Sequence, residues 1–124
     1  MRRLAVKPDR HQTGKNSEAL ARQYLTAHGY RIHAVNWRGR RGELDVVAEK
    51  DGWLVFVEVR SKRTRRFGPA REAVDVHKRR QLRRVAEEYV ARRQLADRPM
   101  RFDCIFVDWD GERPSVEHVM GVSI

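Results

Sequence analysis

The sequence predicts an α/β domain in which a helix precedes three strands and a second helix precedes two more. Three observations carry that prediction. An amphipathic pattern begins at Lys15 or Asn16 and stops at Gly29; two apolar stretches, "ELDVVAEK" and "WLVFVEVRSK", are closed on each other by Asp51-Gly52; and a long helical pattern from Asp75 to Arg93 runs into "MRFDCIFVDW". At 124 residues the chain is large enough for one core and too small for a separate substrate domain.

Residues 1–13 are basic and polar, contain Pro8 and read as a flexible leader, which leaves 14–124 as the single folded domain. In the first helix Leu20, Ala21, Tyr24, Leu25 and His28 share a face, and Gly29 suits the residue that follows a helix. "YRIHAVNW" is the first strand, and "RGRRG" is a basic turn flanked by glycines. The second and third strands form a hairpin, because Asp-Gly tolerates the positive φ that a type I′ turn requires at both central positions. A basic loop broken at Gly68 and Pro69 then delivers the chain to the second helix, for which Asp75 is the expected N-cap. Leu82, Val85, Ala86, Tyr89 and Val90 form that helix's core stripe, while Arg79, Arg80, Arg83 and Arg84 lie on a different face. Asp110-Gly111 turns the chain from "MRFDCIFVDW" into a last short strand near "SVEHVM".

The hairpin turn fixes a register. Lys50 faces Trp53, Ala48 faces Val55, Val47 faces Phe56, Asp45 faces Glu58 and Glu43 faces Arg60. Because side chains alternate across a strand, Leu44, Val46, Ala48, Val55, Val57 and Val59 form one apolar face. The other face is apolar in the middle and ionic at the end away from the turn. Asp45 and Glu58 meet there with Cβ atoms roughly 5 Å apart, a pairing that costs stability when both are charged. Converging carboxylates suit a hard divalent cation such as Mg²⁺, and Arg60 and Lys62 share their facing. The ordinary alternative is a strand end held by salt bridges to Arg60, Lys62 or the first turn. Glu43 reads as a surface partner of Arg60, and Glu49 as a solvated side chain.

"GKNSEALARQYLTAHGY", "NWRGRRGELDVVA", "VFVEVRSK", "AVDVHKRRQLRRVAEEYV" and "RFDCIFV" fall, in that order, across most of residues 14–107. Together they resemble the YraN family of bacterial nuclease-like proteins. That family lies within the PD-(D/E)XK superfamily, which includes restriction endonucleases and archaeal Holliday-junction resolvases. The resemblance implies a restriction-endonuclease-like αβββαβ core with a mixed sheet, and Mg²⁺-dependent phosphodiester cleavage, with Mn²⁺ as a substitute. By the same resemblance Asp45 and Glu58 are the metal carboxylates, the Val59 carbonyl is a further ligand, and Glu18 is an additional acid of the site. The chain departs from the pattern at Arg60, where the superfamily usually has lysine. Arginine stays protonated and stabilises an anion but does not accept a proton, so Lys62, on the same face, is the candidate substitute cation. Ser17 stands where glycine is expected.

The formal net charge is +10, and the segment from Arg60 to Arg84 holds most of it, with eleven Lys or Arg against two acids. A surface of one sign points to a polyanion. Arg63, Arg65, Arg66, Lys78, Arg79, Arg80, Arg83 and Arg84 are the expected phosphate contacts, with Arg38, Arg40 and Arg41 of the first turn as a second group. Nucleic acid, DNA first, is the expected partner, and a homodimer is compatible with cutting two strands. The competing reading is a catalytically silent nucleic-acid-binding module. Cys104 is the only cysteine and lies in an apolar run, so it reads as a buried hydrophobe in a reduced, cytoplasmic setting. No signal-peptide pattern or membrane-length apolar run is present. The five histidines show no metal or triad spacing, and the three tryptophans read as packing residues.

Overall fold

The computed structural model describes residues 10–62 and 76–123, and of these the side chains of Arg10, His11 and 76–79 are not described. The expected cap Asp75 and the expected phosphate contacts Arg63, Arg65 and Arg66 lie outside the described residues, as do the side chains of Lys78 and Arg79. The order is α1 (Arg10–Ala27), β1 (Arg31–Arg38), β2 (Glu43–Lys50), β3 (Trp53–Lys62), α2 (Val76–Arg93), β4 (Met100–Asp110) and β5 (Arg113–Val119).

The helix α1 begins earlier than the expected start at Lys15 or Asn16. Gly14 inside a helix costs about 1 kcal/mol relative to alanine, yet the additional turn forms, and Thr13 within it is buried with its hydroxyl lacking a hydrogen-bond partner among the described residues. Gly29 follows the helix at φ 87°, as its position predicts.

The hairpin forms around Asp51 at φ 53° and Gly52 at φ 84°, and the pairs Lys50 with Trp53, Ala48 with Val55 and Val47 with Phe56 match the predicted register. The strands lie in one sheet in the order β1-β2-β3-β4-β5. Neighbours are antiparallel except β3 and β4, which run parallel because α2 carries the chain over between them. The sheet is therefore mixed.

Each face of the sheet buries one helix. Val46, Ala48, Val55, Val57, Ile105 and Val107 pack with Ala21 and Leu25 of α1. On the reverse face Val47, Leu54 and Phe56 pack with Leu82, Val85, Ala86, Tyr89 and Val90 of α2, the stripe that helical spacing predicts. Leu44 is a correction: it packs with the α2 cluster and not with Val46 and Ala48. Its partner across the ladder is Trp37, which joins the same cluster. The alternation of β2 therefore breaks between Leu44 and Val46, where its ladder with β3 also ends, and on β1, between Val35 and Trp37, Asn36 stands at φ 49°.

Ser17 is buried, and its hydroxyl accepts a hydrogen bond from the Trp109 indole N–H at 2.9 Å. The residue that departs from the expected glycine thus ties α1 to β4. Cys104 is buried, as expected, and as the single cysteine of the sequence it forms no disulfide within the chain. No helix among the described residues is long and apolar enough to cross a membrane.

Candidate functional site

The ladder between β2 and β3 extends from the turn as far as Val46 with Val57. At its open end the Asp45 side chain replaces a ladder bond: its Oδ2 accepts from the Val59 N–H at 2.9 Å. This reach brings the carboxyl groups of Asp45 and Glu58 into hydrogen-bonding contact, so the predicted meeting of the two acids occurs where the regular pairing stops. Burial, and secondly the neighbouring Glu58 charge, push the Asp45 carboxyl up from its ordinary 3.8 to about 7, although the Val59 N–H opposes the shift. Asp45 therefore keeps its proton to about neutral pH.

Glu58 is 6 % exposed, a burial that a lone carboxylate does not tolerate. Arg60, two residues along the same face of β3, supplies the cation, with Nη2 at 3.3 Å from Glu58 Oε1. Arg60 thus turns toward Glu58, and the expected pairing with Glu43 is corrected: Glu43 lies 3.6 Å from Arg38, its neighbour across β1 and β2. Glu18 lies on α1, and its charge adds to the upward push on Asp45. Lys62 ends β3 opposite Asp108 of β4.

Glu43, Asp45 and Glu58 line a cavity of about 230 Å³, closed on the α2 side by Gln81, Leu82 and Val85. Among the described residues no group of three or more His, Cys, Asp or Glu gathers as a metal site, so the donor set reduces to the carboxylate pair. That set fits a small hard cation that keeps several waters and takes further oxygens from a phosphate.

A second cavity, of about 750 Å³, is lined by Arg41, Arg80, Gln81 and Arg84. Arg80, Arg83 and Arg84 are exposed, in agreement with the face assigned to them. Arg83 is 3.5 Å from Glu87 of its own helix. The first turn is anchored to α2 through a residue that sequence reasoning missed, Glu88, whose carboxylate accepts from the Arg40 and Arg41 backbone N–H groups at 2.9 and 3.0 Å. A Cβ at Gly39 would lie 2.5 Å from Glu88 Oε1 and 2.7 Å from the Trp37 ring, so a larger residue here requires the Glu88 carboxylate to leave this position. The two glycines of "RGRRG" were the available signal.

Two further ionic groups differ from expectation. Glu49, read as solvated, accepts from His33 at 2.7 Å and Arg98 at 2.8 Å and also pairs with Arg31, whose hydrogen bond leads in holding its carboxyl down at about 2. Asp103 is fully buried and accepts from Arg101, from His118 at 2.7 Å and from the Gly121 N–H, and these bonds overcome burial and hold its carboxyl below the usual range. His118 is thereby structural, as the histidines were read.

A mixed sheet in αβββαβ order, with a carboxylate pair at the open end of a central hairpin, is an α/β domain with a nuclease-like core. The chain belongs to the uncharacterised protein family UPF0102, whose family model matches residues 17–107, the group that the sequence resemblance pointed to as YraN. It is 42% identical over 118 residues to a UPF0102 protein of Pelobacter propionicus, covering 93% of this chain and 84% of that one. A UPF0102 protein of Myxococcus xanthus is 40% identical over 119 residues, with 96% and 94% covered. One from Symbiobacterium thermophilum is 46% identical over 97 residues, with 78% and 82% covered.

Proposed function

We propose that the protein is a divalent-cation-dependent endonuclease that hydrolyses phosphodiester bonds in nucleic acid, with DNA, branched or under repair, as the first substrate class. The observation that supports this reading is the pair of half-buried Asp45 and buried Glu58, two acids driven together at a cost in stability. In this reading Asp45 and Glu58 hold Mg²⁺, or Mn²⁺ in its place, and the Val59 carbonyl is a further donor. When bound, the cation supplies Lewis-acid polarisation of a phosphoryl oxygen and makes water more acidic. Arg60 remains protonated, so its part is to stabilise the charge that develops on the phosphate. Lys62, roughly 7 Å further along the strand, supplies a second cation to the same phosphate. Glu18 contributes an acid from α1.

A second reading, a silent nucleic-acid-binding module, is favoured by one observation: the Arg60 guanidinium already neutralises Glu58 at 3.3 Å. One experiment separates the two. Labelled duplex, single-stranded and four-way-junction DNA are incubated in Mg²⁺ or Mn²⁺, against EDTA and an Asp45→Asn control. Cleavage lost in both controls supports the endonuclease, and binding without cleavage supports the silent module.

A further inference from the structure

The cations expected to contact phosphate are not equivalent once folded. Arg38 lies beside Glu43, and Arg83 beside Glu87, so part of their charge is spent within the protein. Arg41, Arg80 and Arg84 differ: among the described residues none of their side chains forms an ion pair, although the Arg41 charge is felt by Glu88, and all three line the 750 Å³ cavity. They come from two elements. Arg41 is fixed there because its own N–H and that of Arg40 bind Glu88, and Gln81 Nε2 reaches the Arg41 carbonyl at 3.5 Å. Three like charges brought to one cavity repel each other in the empty protein, a cost that an anion removes.

Gln81 lines both this cavity and the smaller one that holds Asp45 and Glu58. The basic cavity and the carboxylate pair are therefore neighbours with one side chain between them. A polymer of regularly spaced phosphates fits such a pair of sites, whereas a single free phosphate occupies only one. We propose that Arg41, Arg80 and Arg84, with the Gln81 amide at the shared wall, form a subsite for a phosphate of the nucleic-acid strand adjoining the one at Asp45 and Glu58. The proposal rests on the phosphodiesterase reading for what lies next door, but its own content is a binding site.

The test measures binding without cleavage. Anisotropy of a labelled 12-nucleotide strand and its duplex is followed in EDTA over a range of salt concentration, for the full chain and for Arg41→Gln/Arg80→Gln/Arg84→Gln. A charge-matched control is Arg22→Gln/Arg93→Gln/Arg113→Gln, none of which lines either cavity. At about 0.7 to 0.9 per neutralised phosphate, loss of this one phosphate contact lowers the slope of log K against log salt by about 0.7 for the single strand and about 0.9 for the duplex, with at least about a tenfold loss of affinity at low salt. The control triple is expected to lose much less. Gln81→Glu, a single change that brings a negative charge to the shared wall, is expected to weaken binding in the same direction with the fold intact by circular dichroism. Equal losses in the two triples mean diffuse attraction and overturn the subsite, as does unchanged slope in the first triple or no binding by the wild type. Failure of the endonuclease reading shows separately, as absence of cleavage in Mg²⁺ with the difference between the triples preserved.

Discussion

The Asp45 carboxylate accepts a hydrogen bond from the Val59 backbone N–H at 2.9 Å, at the point where the β2 and β3 ladder ends. A side chain in place of a main-chain carbonyl closes the strand pair and, in doing so, pins one acid against another. The strand end and the candidate site are the same piece of chemistry.

That placement has a pH signature. The folded Asp45 keeps its proton to about pH 7, whereas unfolded it releases it near its ordinary 3.8. Between these values the unfolded chain binds fewer protons, so this group lowers stability as pH rises from about 4 to about 7, and the penalty is complete above that. Asp45→Asn keeps an acceptor for Val59 and removes the ionisation. It is expected to be more stable than wild type at pH 8 by about 1–3 kcal/mol, several degrees in Tm, and equal to it near pH 4. Thermal melts at the two pH values check this, and a less stable Asp45→Asn at pH 8 would contradict it.

Divalent cation binding is the second expectation. A ligand held by the native pair raises Tm by mass action, so Mn²⁺ is expected to stabilise the wild type with a dependence on its concentration. Calorimetry should show one site per chain. If the Asp45→Ala/Glu58→Ala double variant takes up Mn²⁺ equally, the cation is bound elsewhere.

At the far end of β2, Glu49 is surrounded by Arg31, His33 and Arg98. Its carboxyl is held down at about 2 from an ordinary 4.5, so the stability it contributes is present above about pH 4.5 and is lost as pH falls toward 2. Glu49→Gln is therefore expected to lower Tm at pH 7 and to flatten the acid limb of the stability profile. Superimposable profiles for the two proteins between pH 2 and pH 5 would remove this role.

Much of this was legible in the sequence, and the reasons differ by residue. The Asp51-Gly52 turn and the α2 stripe follow from local backbone rules, since turn chemistry fixes register and register fixes facing, whereas Asp45 and Glu58 meet beyond the last ladder pair, Val46 with Val57. Leu44 was misplaced because the ladder of β2 with β3 stops at Val46 with Val57 and the alternation of β2 breaks beyond that pair, which a strict two-residue period does not contain. Glu88 and Glu49 were missed for another reason: their partners, Arg40 and Arg41 in one case and Arg98 in the other, come from distant parts of the chain. A charge on a strand or helix reads as solvated until the fold shows what is brought beside it.

The last expectation concerns the cation two residues after Glu58. Arg60 lies 3.3 Å from Glu58, and among the described residues its buried Nε has no hydrogen-bond partner. Arg60→Lys restores the residue the resemblance leads one to expect, and a lysine in a desolvated place loses its proton far more readily than arginine. Where cleavage is measurable, Arg60→Lys is expected to retain or raise the single-turnover rate, while Lys62→Ala, which removes the second cation of that face, is expected to lower it by about 100- to 1,000-fold, the scale of one electrostatic contact in a transition state. Rates are compared at saturating Mg²⁺, so that weaker metal binding does not enter. Wild-type turnover by Lys62→Ala would eliminate Lys62 as the substitute, and collapse of Arg60→Lys alone would assign the phosphate to the guanidinium fork.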